Sequence, residues 1–233
     1  MIFPHIPGPA GPDVNLDNTA RGWRQRYPEL FEGGQNPLFT DPDVCQQMVH
    51  DLHRRLGVLW SYGGWMEDRS TLWAGSYLEQ EKKFIHLGVD LNVPAGTEVA
   101  TDKAAQVLRI DTDEDRDGGW GTRVIVQHGD KDPYLLMYAH LAQDVRCAVG
   151  TALAAGEVFA KVGTPEENGQ WYPHLHIQAV CARWFYELLQ SDKNLATLDG
   201  YCSIGSFRDE DRRQAIERRF PNPLQFVEVP DRR

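Results

Sequence analysis

Between Phe84 and Val93 the chain reads Phe-Ile-His-Leu-Gly-Val-Asp-Leu-Asn-Val, and this run constrains the fold more than any other stretch. Ile85, Leu87, Val89, Leu91 and Val93 alternate strictly with Phe84, His86, Gly88, Asp90 and Asn92. A period of two marks a β-strand, whose successive side chains point to opposite faces. Pro94 and Gly96 close the run with turn chemistry. Such a strand has one apolar face and one face carrying the imidazole of His86 and the carboxylate of Asp90, two ligand types that suit zinc.

A second pair lies downstream in Pro173-His-Leu-His-Ile-Gln178, where His174 and His176 share one strand face and Leu175 and Ile177 the other. A further histidine, His140, ends the apolar run Tyr134-Leu-Leu-Met-Tyr-Ala-His140. The expectation is that these three segments meet at one metal. A catalytic zinc keeps three protein ligands and leaves a fourth position for water. His86, Asp90 and one of His174 or His176 would complete a His-His-Asp set. The remaining histidine of the pair and His140 would then act on the water and the leaving group.

Hydrophobic residues make up 41% of the 233-residue chain and aromatics 10%, enough for a real core. The formal charge of -10 argues against a nucleic-acid partner, which needs a basic footprint. Cys45, Cys147, Cys181 and Cys202 are widely spaced without a CxxC, so they read as free thiols rather than a cysteine zinc knuckle. The first residues show neither the basic nor the apolar region of a signal peptide, and no later stretch is long enough to be a transmembrane segment. The chain therefore reads as soluble and cytoplasmic by default, reaching the cell envelope only through another export route.

Residues 1–39, rich in Pro, Gly and Asn, read as an irregular N-terminal arm that Trp23, Tyr27, Leu30 and Phe31 pin to the body. Residues 41–56 read as a helix with Asp41 as cap, Pro42 at its first position and Gly57 as its stop. His50 and His53 flank its apolar stripe and read as solvated surface histidines. Residues 58–83 are an aromatic segment, a strand with a long loop, in which Glu67-Asp68-Arg69 forms a charged patch. Within 40–83 the helix and aromatic segment are expected to pack on the core.

From 84 to 181 short strands alternate with turn signals, with candidates at 84–93, 98–101, 105–111, 122–128, 134–140, 157–162 and 174–180. The acidic run from Asp111 to Asp117 lacks the EF-hand order and reads as a hairpin tip. His128 ends a strand beside a turn and reads as structural. Residues 182–233 read as a helical C-terminal appendage, with helices at 182–191 and 207–219.

The segment from about 84 to 180 resembles the lysostaphin/LytM-type zinc endopeptidases, which cleave peptide stems or cross-links of bacterial peptidoglycan. The residues carrying the resemblance are His86-Leu-Gly-Val-Asp90, Val93-Pro-Ala-Gly-Thr-Glu-Val-Ala100, Gly121 to Gly129, Tyr138-Ala-His140-Leu, Val149-Gly150 and His174-Leu-His176. The loop Glu166-Glu-Asn-Gly-Gln-Trp-Tyr-Pro173 differs from the family's small-residue turn. It resembles the Asn-Gly-x-Trp-x-Pro variant of domains fused to other enzymes.

The resemblance implies a mainly β fold, a compact antiparallel β-sheet peptidase domain of the duplicated hybrid motif type, here with helical N- and C-terminal extensions. It implies one zinc per chain held by His86, Asp90 and His176, with His140 and His174 as the catalytic pair. It further implies a peptide or peptidoglycan substrate. Two other functions compete. One is a binding or regulatory module, favoured if the arm filled the groove with a blocking ligand from His5, Asn15 or Asp17. The other is a cytoplasmic zinc hydrolase acting on a small amide.

Overall fold

The computed structural model describes residues 11–113, 115, 118–129, 133–192, 195 and 198–227. Three helices come first: α1 (Leu16–Arg26), α2 (Pro37–Thr40) and α3 (Pro42–Leu56). Then come β1 (Ser61–Gly63), β2 (Ile85–His86), β3 (Val89–Asn92), β4 (Glu98–Ala100), β5 (Ala105–Asp113), β6 (Gly121–His128) and β7 (Tyr134–Leu141). They are followed by β8 (Ala152–Leu153), β9 (Val158–Lys161), β10 (Leu175–Cys181), α4 (Ala182–Ser191), β11 (Tyr201–Cys202), α5 (Ile204–Arg208) and α6 (Glu210–Arg219).

Seven strands form one antiparallel sheet in the order β1-β3-β10-β7-β6-β5-β8, and β11-β2 and β4-β9 form two small sheets. Strand alternation feeds two cores. Val89, Leu91, Val124, Val126, Leu136, Tyr138, Leu175 and Ile177 face the β4-β9 pair, where Val99, Phe159 and Ala160 complete the main core. From the opposite face Ile125, Leu135, Met137 and Val180 pack on Phe185 of α4 and on Phe220 beyond α6. A third cluster is built by Leu16, Ala20 and Trp23 of α1 and by Cys45, Met48, Val49 and Leu52 of α3, with Trp73, Phe84 and Tyr172.

Four expectations change. Residues 1–39 contain the regular helix α1: Asn15 accepts from the Asn18 amide as its cap, Asp17 lies in the first turn and Arg24 and Arg26 in the last. Its buried stripe is only three residues deep, and the surrounding Pro and Gly hid it. The run 84–93 is not one strand. It breaks at Leu87-Gly88, so that β2 pairs with β11 while β3 pairs with β1 and β10. Gly88 is required at the break because a Cβ there would lie 2.4 Å from His176 Cε1. His53 is buried, not solvated: its Nε2 lies 2.8 Å from Ser61 Oγ where α3 meets β1. The charged helix expected at 207–219 is two helices, because Asp209 caps α6 by accepting from the Arg212 amide.

Of the acidic run, Glu114, Arg116 and Asp117 lie outside the described residues, as does His5. Asp111 pairs with Arg109 at 2.8 Å and Arg123 at 2.6 Å. His128 Nδ1 donates to the Ala104 carbonyl. All four cysteines are free. Among the described residues no helix is long and apolar enough to cross a membrane.

The first turn of α1 is locked to the loop before β2. Asp17 Oδ1 accepts from the amides of Thr71 at 2.7 Å and Leu72 at 2.8 Å, and Asp17 is only 2% exposed. Asp17→Ala leaves two donors without an acceptor and is expected to cost about 1–3 kcal/mol, read as a lower urea midpoint. An unchanged midpoint would show that solvent replaces the carboxylate.

Candidate metal centre

Register builds the centre. β10 pairs with β3 so that His176 stands directly opposite Asp90, the arrangement that brings cross-strand side chains together on one face. His86 arrives from β2, just before the Gly88 break. Asp90 Oδ1 lies 3.0 Å from His176 Nδ1 and 3.4 Å from His86 Nε2, and the two ring nitrogens are 2.9 Å apart. His174, immediately before β10, brings its Nε2 to 3.8 Å from Asp90 Oδ1. His140, next to last in β7, is in a left-handed conformation (φ 61°), where the β6-β7 register shifts between Thr122 and Val124. A bulge of this kind re-aims a side chain, and the His140 ring lies 4.4 Å from that of His174.

The outer partners settle where the protons are. His86 Nδ1 lies 2.9 Å from the Gly64 carbonyl and His174 Nδ1 2.9 Å from the Tyr172 carbonyl. A carbonyl only accepts, so both Nδ1 atoms carry the hydrogen. His176 Nε2 meets Gln178 Oε1 at 3.1 Å, and Gln178 uses its amide nitrogen on the Asp199 carbonyl, so here too the outer nitrogen donates. Each inward nitrogen is therefore a lone pair. Two lone pairs and a carboxylate oxygen crowd together with no proton among them, an arrangement that repels itself until a cation enters. A tetrahedral zinc with bonds near 2.0–2.1 Å separates neighbouring ligand atoms by about 3.3 Å, close to the spacing seen. His86, Asp90 and His176 thus fit a zinc, each with an outer partner that orients it.

Burial, followed by the Arg69 charge, lowers His86 to about 3. Burial opposes ionisation of Asp90, but His86, Arg69 and His174 hold it well below the ordinary carboxylate range. Burial and the adjoining His174 and His176 lower His140, whose Nδ1 has no hydrogen-bond partner among the described residues.

The centre floors a cavity of about 1000 Å³ walled by Phe39, Trp73, Tyr77, Trp120, Trp171 and Tyr201, among others. Trp120 stacks on His140, and Tyr172 on His174. Tyr77, from the segment before the β domain, donates its hydroxyl to the Gly118 carbonyl at 3.2 Å.

All five residues marked out in the sequence come together. Asn15 and Asp17 do not reach them; they cap and anchor α1. Sequence reasoning missed Arg69, whose Nη1 donates to Asp90 Oδ2 at 2.6 Å, and Glu67, which is buried beside it. It also missed Gln178, although its place two residues after His176 on the same strand face was a usable signal.

Because folded His86 stays neutral down to about pH 3 while an unfolded histidine takes a proton near 6.5, the unfolded chain binds more protons between those values. Stability of the chelated protein is then full above about pH 6.5 and declines as pH falls through the window. Urea unfolding across this range reads the decline, and His86→Gln is expected to make it shallower. A flat profile would refute the assignment of His86 as a buried neutral imidazole.

Residues 84–183 match the family model described as Peptidase family M23. No curated protein matches the chain. Among solved structures, the chain is similar to the catalytic domain of the prophage-encoded M23 protein EnpA from Enterococcus faecalis, with 22% identity, 42% of this chain and 69% of that chain covered, and a TM-score of 0.36. It is similar to the catalytic domain of the antimicrobial peptidase lysostaphin from Staphylococcus simulans, with 22% identity, 42% and 68% covered, and a TM-score of 0.34. It is also similar to a zinc-containing peptidase from Vibrio cholerae, with 23% identity, 41% and 27% covered, and a TM-score of 0.35.

Proposed function

From the match of residues 84–183 to the peptidase family M23 model, we propose that the chain is a zinc-dependent metalloendopeptidase that hydrolyses a peptide bond in peptidoglycan stems or cross-bridges. The observation that carries the zinc reading is the convergence of His86 Nε2, His176 Nδ1 and Asp90 Oδ1 as proton-free donors.

A zinc held there would lower the pKa of a bound water to about 7 and polarise the substrate carbonyl. His174 takes the proton of the attacking water: its Nδ1–H is fixed on the Tyr172 carbonyl, so its Nε2 lone pair faces the centre. His140, neutral and stacked on Trp120, stabilises the developing oxyanion by a hydrogen bond, and the proton taken up by His174 goes to the leaving amine. Trp120 and Trp171 flank the histidines and exclude water from the reacting bond.

The Tyr77–Gly118 contact favours a second reading, a hydrolase of small soluble amides, because it draws the cavity wall across toward the β5-β6 hairpin. A substrate panel separates the two: cleavage of intact peptidoglycan supports the first reading, cleavage of short soluble peptides alone the second.

Elemental analysis is expected to find about one zinc per chain. His176→Ala is expected to lose the zinc. His140→Ala is expected to keep it while the hydrolytic rate falls roughly 10²–10⁴-fold. Zinc-free wild type after reconstitution, or His176→Ala that binds zinc unchanged, would sink the metallopeptidase reading.

A further inference from the structure

Resting on the metallopeptidase reading, we infer that Arg69 is a positioning residue for the metal centre, supplied from outside the family-matched segment. Arg69 precedes residues 84–183 in the chain. Its side chain nonetheless lies fully buried against the ligand Asp90, donating from Nη1 to Oδ2 at 2.6 Å. Oδ2 is thereby committed, and Oδ1, the oxygen facing His86 and His176, is left as the single ligating atom. A carboxylate without such a partner can rotate and offer both oxygens to a cation. Here the guanidinium fixes its plane, so that Oδ1 would stay aimed at a metal held with His86 and His176.

Arg69 is itself held in place. Its Nε donates to Glu67 Oε2 at 3.2 Å, and Glu67 Oε1 accepts from the backbone amide of Asp17, in the first turn of α1, at 2.7 Å. The guanidinium lies over the Trp73 ring, its carbon 5.2 Å from the centroid. Gly64 closes the arrangement: a Cβ there would come within 2.3 Å of Arg69 Nη2 and 2.8 Å of His86 Nδ1, so the backbone fits only without a side chain. The Gly64 carbonyl is the acceptor that orients His86. The stretch from Gly64 to Arg69 therefore supplies the outer partners of two of the three ligands, His86 and Asp90. Lysine would not substitute, because an ammonium is a point charge without the planar fork that bonds Asp90 and Glu67 together.

The test measures zinc affinity by competition with a chromophoric chelator, together with the visible d–d spectrum of the cobalt-substituted protein. Neither readout depends on peptidase activity. Loss of a residue that orients a metal ligand typically costs 10–100-fold in affinity. Arg69→Lys and Arg69→Met are each expected to bind zinc weaker by that factor and to alter the cobalt spectrum. Glu67→Gln, one step farther out, is expected to shift both in the same direction by less. A folded Arg69→Lys with wild-type zinc affinity and an unchanged cobalt spectrum overturns the inference, because a residue that only fills space would lower the melting temperature and leave the metal's surroundings alone. If neither Arg69 variant folds, Glu67→Gln decides: weakened zinc binding supports the inference, and unchanged binding overturns it. Wild type that binds no zinc overturns the metallopeptidase reading and this inference together, which separates that failure from the failure of Arg69 alone.

Discussion

The pairing of β3 with β10 is the constraint on which both fold and site depend. Its register sets Leu175 opposite Leu91 and Ile177 opposite Val89, all facing the main core, and in the same stroke sets His176 opposite Asp90 on the other face. A slip of β10 by one residue would turn its side chains over, burying His176 in hydrocarbon and ejecting Leu175 and Ile177. The ligand geometry is therefore enforced by the hydrophobic effect, even though no ligand contributes to it. The break at Gly88 serves the same end, since it lets β2 swing away to β11 while leaving His86 aimed back at the pair.

That polar face then has to be covered without being neutralised. The α1-α3 cluster lies on one side of it and the α4-α6 cluster on the other. Between them sit Arg69, Asp90 and Glu67, all buried, in contact with one another. Ionised groups removed from water carry a large desolvation cost, offset only when geometry and hydrogen bonding are complete. The sequence of contacts from the Asp17 amide through Glu67 and Arg69 to Asp90 supplies much of that offset, with Arg69 Nη2 left without a hydrogen-bond partner among the described residues. A second polar chain runs from His53 through Ser61 and Asn92 to the hydroxyl of Tyr172, whose carbonyl holds His174.

Features with a local period were legible in the sequence. Turn signals bounding short apolar runs marked β6 and β7, alternation marked β10, and Asp41, Pro42 and Gly57 bounded α3 closely because capping is decided by adjacent residues. The five inward residues were legible because His86 and Asp90, and His174 and His176, recur at even spacing in the sequence, and because His140 closes an apolar run. What escaped was whatever depends on distant partners. Arg69 sits in a stretch that reads only as a charged patch, and its partner Asp90 is 21 residues away. His53 lies beside the apolar stripe of α3, and only the packing of β1 against that helix turns it inward. The helix α1 has a stripe too short to stand out from its Pro- and Gly-rich surroundings.

The three helices before β1 and those after β10 form two covers, which meet where Tyr201 and Ile204 pack on the first cluster. The candidate ligands lie on the seam between them: Trp73 of the first cluster touches the His86 ring, and Trp120, packed with the second, touches His176. Regions of a protein that open separately behave as separate cooperative units. An ion bound on such a seam must be given up before either cover can lift, so the two would open as one unit. Hydrogen exchange in the two covers, distinct in the chelated chain, would then converge on a common opening energy when metal is bound.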